Sequence, residues 1–116
     1  MENIKLRLQQ FSKDRNWDEF HSPKNLAMAL SGEVGELIEI FQWLKEEETL
    51  ISNISSKNHE RAKEELADVF LYVIWLADKL DIDLIAEANK KIDLNSAKYP
   101  IELSKDNATK YNRRNE

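Results

Sequence analysis

The chain lacks cysteine altogether. That excludes disulfides, thiolate nucleophiles and zinc–thiolate sites, and it fits a reducing compartment. Glycine and proline are scarce, two of each in 116 residues. With so few turn-forming residues, the chain is expected to be mostly helical. The longest stretch free of charge is Val69 to Ala77, far too short to cross a bilayer. Met1 to Asp14 is charged throughout and does not read as a secretory signal. A protein without a membrane partner, in the cytoplasm, is the expectation. The formal net charge is −5 and no basic stripe with interleaved aromatics is present. A nucleic acid polymer, bound through phosphate neutralisation, is therefore not an expected partner. Histidine is scarce too: His21 and His59 are the two. Neither stands in Glu-x-x-His spacing with an acid, which argues against a di-iron four-helix centre.

What remains is a helical chain with acids set into apolar faces. Ile4, Leu8 and Phe11 recur at helical spacing over residues 2 to 16. Asn16 to His21 breaks the pattern and is expected to form a loop whose Trp17 and Phe20 pack against the bundle or a ligand. Ser22-Pro23 is a strong helix start, with Ser as N-cap and Pro in the first turn. The second helix is expected over 23–46. Leu26, Leu30, Val34, Leu37, Phe41 and Leu44 share one face of it at about 100° per residue. Gly32 and Gly35 inside this helix each cost about 1 kcal/mol relative to Ala. They serve either close helix packing or room for a ligand. Residues 46–58 read as a loop with a short turn. A third helix over 58–79 carries Ala62, Leu66, Val69, Val73, Leu76 and Leu80 on one face, with Phe70, Leu71, Ile74 and Trp75 off it. A helix apolar nearly all round is buried on more than one side, which in so small a chain points to a subunit interface. Asp83 is a plausible N-cap for a fourth helix over 84–97, ending before Tyr99-Pro100. The expected organisation is one helical domain over 1–100 and a charged tail over 101–116.

Glu33 and Glu36 stand one helical turn apart, and Glu65 and Asp68 repeat the arrangement 32 residues later. Trp43 and Trp75 follow at matching distances. Two helices, each with a carboxylate pair at the same place, suggest four acids around one point. Uncompensated, such a group costs several kcal/mol per buried carboxylate or forces protonation. Oxygen-only ligands select a hard divalent ion, Mg2+ or Mn2+. Trp43 falls on the same edge as Glu36, and Tyr72 on the same edge as Glu65 and Asp68. Aromatics beside a metal site offer a stacking surface for a base. His21 either touches a ligand or has a structural role.

These residues resemble the MazG-like nucleoside triphosphate pyrophosphohydrolases of the all-α NTP pyrophosphatase superfamily. Their motif is Glu-x-x-Glu, a spacer, then Glu-x-x-Asp, matched here by Glu33, Glu36, Glu65 and Asp68. Asn16 to Leu26, Gly32 to Leu37, Phe41 to Trp43, the Lys91 to Pro100 run and the Ser104 to Tyr111 tail look like the dCTP pyrophosphatase branch. The resemblance covers roughly residues 4 to 111. It implies an all-α, four-helix-bundle-type subunit that works as an obligate homo-oligomer, a dimer of dimers in this branch. It implies Mg2+-dependent hydrolysis of a nucleoside triphosphate to monophosphate and pyrophosphate, with dCTP or a modified dCTP as substrate. By motif position Glu33, Glu36, Glu65 and Asp68 are the metal ligands, with Glu36 and Glu33 as catalytic acids and Glu36 as the base. Trp17, Trp43, Tyr72 and Asn95 fall around the base and sugar, and His21, beside Trp17 and Phe20, is added to them as a substrate-binding candidate. Lys79 and Lys91 fall near the phosphates, with Lys110 and Tyr111 added from the tail. One departure is Leu8, where animal members of the branch carry a His in the first helix; it leaves the preferred base open. The rival readings are a broader pyrimidine dNTP or dUTP pyrophosphatase and a non-catalytic nucleotide-binding helical oligomer.

Overall fold

A computed structural model describes residues 1–101; Lys110, Tyr111 and most of the tail, expected above to contribute to the site, lie outside them. Among the described residues there are four α-helices and no strand. They are α1 (Glu2–Asp14), α2 (Pro23–Phe41), α3 (Ser56–Lys79) and α4 (Leu84–Lys98), with 3-10 turns at Asp18–Phe20 and Glu46–Thr49. No described helix is long and apolar enough to cross a membrane.

The helix starts follow their capping residues. The Ser22 hydroxyl accepts from the Asn25 N–H at 3.1 Å, Ser55 from Asn58 at 3.1 Å, and the Asp83 carboxylate from Ala86 at 3.1 Å. Each satisfies a donor that the first helical turn leaves without a backbone partner. The ends differ from expectation. The first helix stops at Asp14, because Asn16 takes a left-handed backbone with φ 55°; Asn tolerates that conformation better than most residues. The second helix stops at Phe41, not at residue 46. Glu46, Glu47 and Glu48 would have placed three carboxylates at its negative C-terminal end; instead they open a separate 3-10 turn.

The chain divides into two compact units, Met1–Ile82 and a second beginning at Asp83. The division follows Asp81, whose φ of 55° turns the chain after α3. In the second unit α4 is amphipathic but buries no residue.

In the first unit α3 is the shared helix, packing against both α2 and α1. The core is Leu8, Leu26, Ile74 and Trp75, with Leu71, Tyr72 and Leu76 packed against it. Leu26 is 1% exposed; burying a leucine fully stabilises by about 2 kcal/mol. Burial on α3 extends beyond the predicted face, of which Ala62 is buried and Leu76 packs against the core. Leu66 and Leu80 are exposed, whereas Ile74, Trp75 and Ala77 are buried. Two stripes account for this. Leu71, Trp75 and Asp78 face α1, where Trp75 meets Phe11 and the Asp78 carboxylate accepts from Gln9 at 3.0 and 3.2 Å. Lys5 adds an ion pair to Asp78 at 3.7 Å. The other stripe, Glu65, Asp68, Tyr72, Trp75 and Lys79, repeats at alternating steps of three and four, so it forms one continuous edge of the helix.

Candidate functional site

The α2–α3 contact brings acids together. One carboxylate oxygen each from Glu33, Glu36 and Glu65 lies within 4.8 Å of the others. Glu33 and Glu36 sit one turn apart on α2, and Glu65 reaches them from α3. Asp68 stands one turn further along α3, close enough for its charge to act on both Glu33 and Glu65.

The arrangement is electrostatically frustrated. Burial, then the charges of Glu36, Asp68 and Glu65, push the Glu33 carboxyl up from 4.5 to about 7. Burial and the neighbouring acids raise Glu65 as well. Glu33 Oε2 and Glu65 Oε2 are both buried without a hydrogen-bond partner. Buried carboxylate oxygens without donors are costly unless a proton or a cation compensates them. No Lys or Arg among the described residues forms an ion pair with these acids. The donor set is all carboxylate, which suits a hard divalent ion of the magnesium or manganese kind. The residues present thus fit the metal that the motif implies.

An aromatic ladder runs from the acids along the same edge of α3. Tyr72 follows Asp68 by one turn, about 6 Å along the axis, and Trp75 follows at about 10 Å. Burial and the charges of Glu33 and Asp68 raise the Tyr72 hydroxyl, which keeps it neutral beside the acids. The Tyr72 and Trp75 rings are 5.2 Å apart. Trp75 meets His21 at 4.9 Å, His21 meets Trp17 at 5.9 Å, and Trp17 meets Phe11 at 5.5 Å. Three of the expected base-contacting residues, Trp17, His21 and Tyr72, thus belong to one connected cluster.

Other expected residues fall elsewhere. Trp43 lies two positions past the end of α2 and is 86% exposed; it joins no ring contact among the described residues. Lys79 lies eleven residues beyond Asp68, about 16 Å along the helix, with Tyr72 and Trp75 between them. Its ammonium pairs with Asp18 at 3.5 Å. The structure therefore does not bring Lys79 to the acids. Lys91 and Asn95 lie one turn apart on an exposed face of α4, in the second unit. Leu8 is buried in the core and lines a 360 Å³ groove with Ile4, Arg7, Phe11, Leu71 and Trp75. It offers no hydrogen bond to any ligand. Gly32 and Gly35 are not explained by close packing within the chain, since a Cβ at either meets nothing within 4 Å.

Two participants were not singled out from the sequence. Phe11 was read as a periodic apolar residue, and its contact with Trp17 depends on how the chain turns at Asn16. Asp18 carries no local signal, because its partner is 61 residues away.

The model of the MazG-like family matches residues 28–113. The dCTP pyrophosphatase 1 of Bos taurus is 40% identical over 111 residues, covering 96% of this chain and 66% of the bovine protein. The Homo sapiens protein of that name is 38% identical over 111 residues, covering 96% and 65%. The chain thus spans just under two thirds of the length of these relatives. A pyrophosphatase of known crystal structure from Archaeoglobus fulgidus DSM 4304 superposes with a TM-score of 0.79. It is 37% identical, over 86% of this chain and 92% of that one.

Proposed function

The chain belongs to the MazG-like family, and from that premise we propose that it is a Mg2+-dependent nucleoside triphosphate pyrophosphohydrolase. It would convert a deoxynucleoside triphosphate and water to the monophosphate and pyrophosphate, with dCTP or a base-modified dCTP preferred. The observation that carries this reading is the convergence of Glu33, Glu36 and Glu65 within 4.8 Å, with two orphaned carboxylate oxygens among them. The names of the relatives supply the substrate class.

In this reading Glu33, Glu36, Glu65 and Asp68 hold the metal. A bound divalent ion would neutralise the triphosphate and lower the pKa of a water molecule. The chain's own residues do the rest. Glu36, the exposed member of the trio, accepts the proton of the water that attacks the α-phosphorus. Pyrophosphate leaves, and no covalent enzyme intermediate is required. Tyr72, His21 and Trp17, backed by the buried Trp75, line the edge beyond the acids and take the sugar and base by stacking, which contributes about 1–3 kcal/mol per base. Mn2+ fits the same ligands.

One observation favours a broader pyrimidine specificity, including dUTP, as a second reading. Leu8 sits in the core, where a polar residue would be needed to read the base from α1. A panel of the four dNTPs, dUTP and 5-methyl-dCTP with Mg2+ tests both, read as pyrophosphate release. Highest rates on dCTP and 5-methyl-dCTP support the first reading. Equal rates on dUTP support the second. No release from any substrate overturns both.

The working unit is proposed to be a homo-oligomer, a dimer of dimers in the cytoplasm. Support comes from apolar side chains left open on the first unit, among them Met28, Ile38, Trp43, Ile51 and Leu66. Exposure on this scale marks an interaction surface. Light scattering that returns a monomer at micromolar concentration would remove this part of the proposal.

A further inference from the structure

We propose that Lys79 is a positioning residue for the aromatic cluster: its ion pair with Asp18 holds the Trp17–His21 segment against Trp75. The kinetic consequence rests on the nucleotide reading above; the structural one does not.

The segment between α1 and α2 leaves the helix at Asn16, with its left-handed backbone, and ends at the Ser22 cap. Its internal ties are local. The Trp17 N–H donates to the Ser12 carbonyl at 2.9 Å, and the Asn25 amide donates to the Phe20 carbonyl at 3.0 Å. Neither bond reaches α3. The Lys79–Asp18 pair does, at 3.5 Å. Asp18 opens the 3-10 turn that separates Trp17 from His21, so fixing Asp18 fixes both rings. Lys79 lies one turn beyond Trp75 on the same edge of α3, and Trp75 is the ring that His21 touches at 4.9 Å. The pair therefore sits directly behind the contact that closes the cluster.

The position also speaks against the phosphate role that motif position implies. Tyr72 and Trp75 lie between Lys79 and the acids. A nucleotide whose phosphates reach Glu65 and Asp68 points its base, not its phosphates, toward Lys79. The charges that act on His21 agree with this placement. Burial, then Lys79 from α3, lower its pKa, and Asp18 from its own segment opposes them.

The full chain carrying Lys79→Met, Asp18→Asn or the double exchange Asp18→Lys/Lys79→Asp tests the proposal. Two readouts are taken: the titration of the His21 ring by NMR, and kcat and KM for dCTP with Mg2+. Lys79→Met is expected to raise the His21 midpoint, because a nearby positive charge is gone; Asp18→Asn is expected to lower it. Each single variant should raise KM on the order of threefold, in keeping with a partly exposed ion pair, with kcat unchanged. The exchange should recover most of the loss. Two results would overturn the proposal. One is an unmoved His21 titration in Lys79→Met. The other is a rise in KM confined to Lys79→Met and matched by weaker inhibition by pyrophosphate, which identifies a phosphate ligand. If dCTP is not turned over at all, the failure belongs to the nucleotide reading, and the Trp17 and His21 ring shifts in the same NMR spectra, displaced in each single variant and restored in the exchange, decide whether the pair holds the segment.

Discussion

Near its C-terminal end α3 packs Ile74, Trp75 and Ala77 against α1 and α2, and one turn further Asp78 and Lys79 find partners on α1 and at Asp18. Near its middle the same helix presents Glu65 and Asp68 to Glu33 and Glu36, and nothing offsets their charge among the described residues. The apolar end is packed and its charges are paired, although Trp75 Nε1 and His21 Nδ1 are buried there without partners; the acidic end gathers like charges with none paired. The difference teaches where folding energy comes from and where it is withheld. The apolar end stabilises the first unit, so the acidic end can keep carboxylates together that repel one another. Like charges gathered at one point of a helix whose other charges are paired is the pattern expected of a functional site.

The sharpest way to break the packed end is Leu26→Ala. Leu26 is the most buried side chain of the core. Truncation there should cost about 3 kcal/mol, within the range for buried leucines, measured by urea unfolding. Leu66→Ala, on the exposed side of the same unit, should cost under about 0.5 kcal/mol in the isolated subunit. If the two costs were equal, the buried side of α3 would be wrongly assigned.

The acidic end should respond with opposite signs in two assays. Glu33→Gln removes a ligand and a repulsive charge together. Activity should fall by about 100-fold or more, by comparison with the 10- to 100-fold losses from residues that only support a metal's ligands. Without metal, however, the variant should melt at a higher temperature than the parent, because the carboxylate cluster has lost one charge. A variant that lost activity and also melted lower without metal would show a structural role instead.

Titration sharpens the same point. The Glu33 carboxyl sits at about 7 in the folded chain against an ordinary 4.5. Between these values the folded chain binds more protons than the unfolded one, so stability must fall as pH rises. In EDTA, the stability present below about pH 4.5 should be lost progressively by about pH 7. Mg2+ should reverse the loss, and its stabilising effect should be larger at pH 7 than at pH 5. A melting temperature that rose over this window in EDTA would contradict the assignment.

How far these features were legible depends on their range. Caps are local: Ser22, Pro23 and Asp83 marked their helix starts to the residue, because each acts on the turn that follows it. The acid cluster was legible because the two stretches repeat, and the repeat encodes that α2 and α3 present equivalent edges. The buried side of α3 was legible only in part. Its pattern is apolar nearly all round, and the choice between Leu66 and Trp75 is made by α1, whose approach no periodicity within α3 encodes. Lys79 shows the same limit. A lysine after an acidic motif resembles a phosphate ligand, and no periodicity within α3 encodes that its ammonium pairs with Asp18. Trp43 was placed both by extending α2 through residue 46 and by the family resemblance, and the end of that helix at Phe41 removes the first of these grounds.

The smallest expected effects concern Gly32 and Gly35, and they test whether the frustration extends to the backbone. Both lie inside α2, where glycine costs about 1 kcal/mol relative to alanine, and a Cβ at either meets nothing within 4 Å. Alanine at each position should therefore stabilise the subunit by about 0.5–1 kcal/mol, read from urea unfolding. Gly32 precedes Glu36 by one turn and shares its face; Gly35 points away from Glu33. If the space beside Glu36 belongs to a bound substrate, Gly32→Ala should lower kcat/KM several-fold while Gly35→Ala leaves it intact. A methyl group tolerated at both positions would mean that the site needs its acids but not the clearance beside them, and the two glycines would then be open to selection at a partner surface instead.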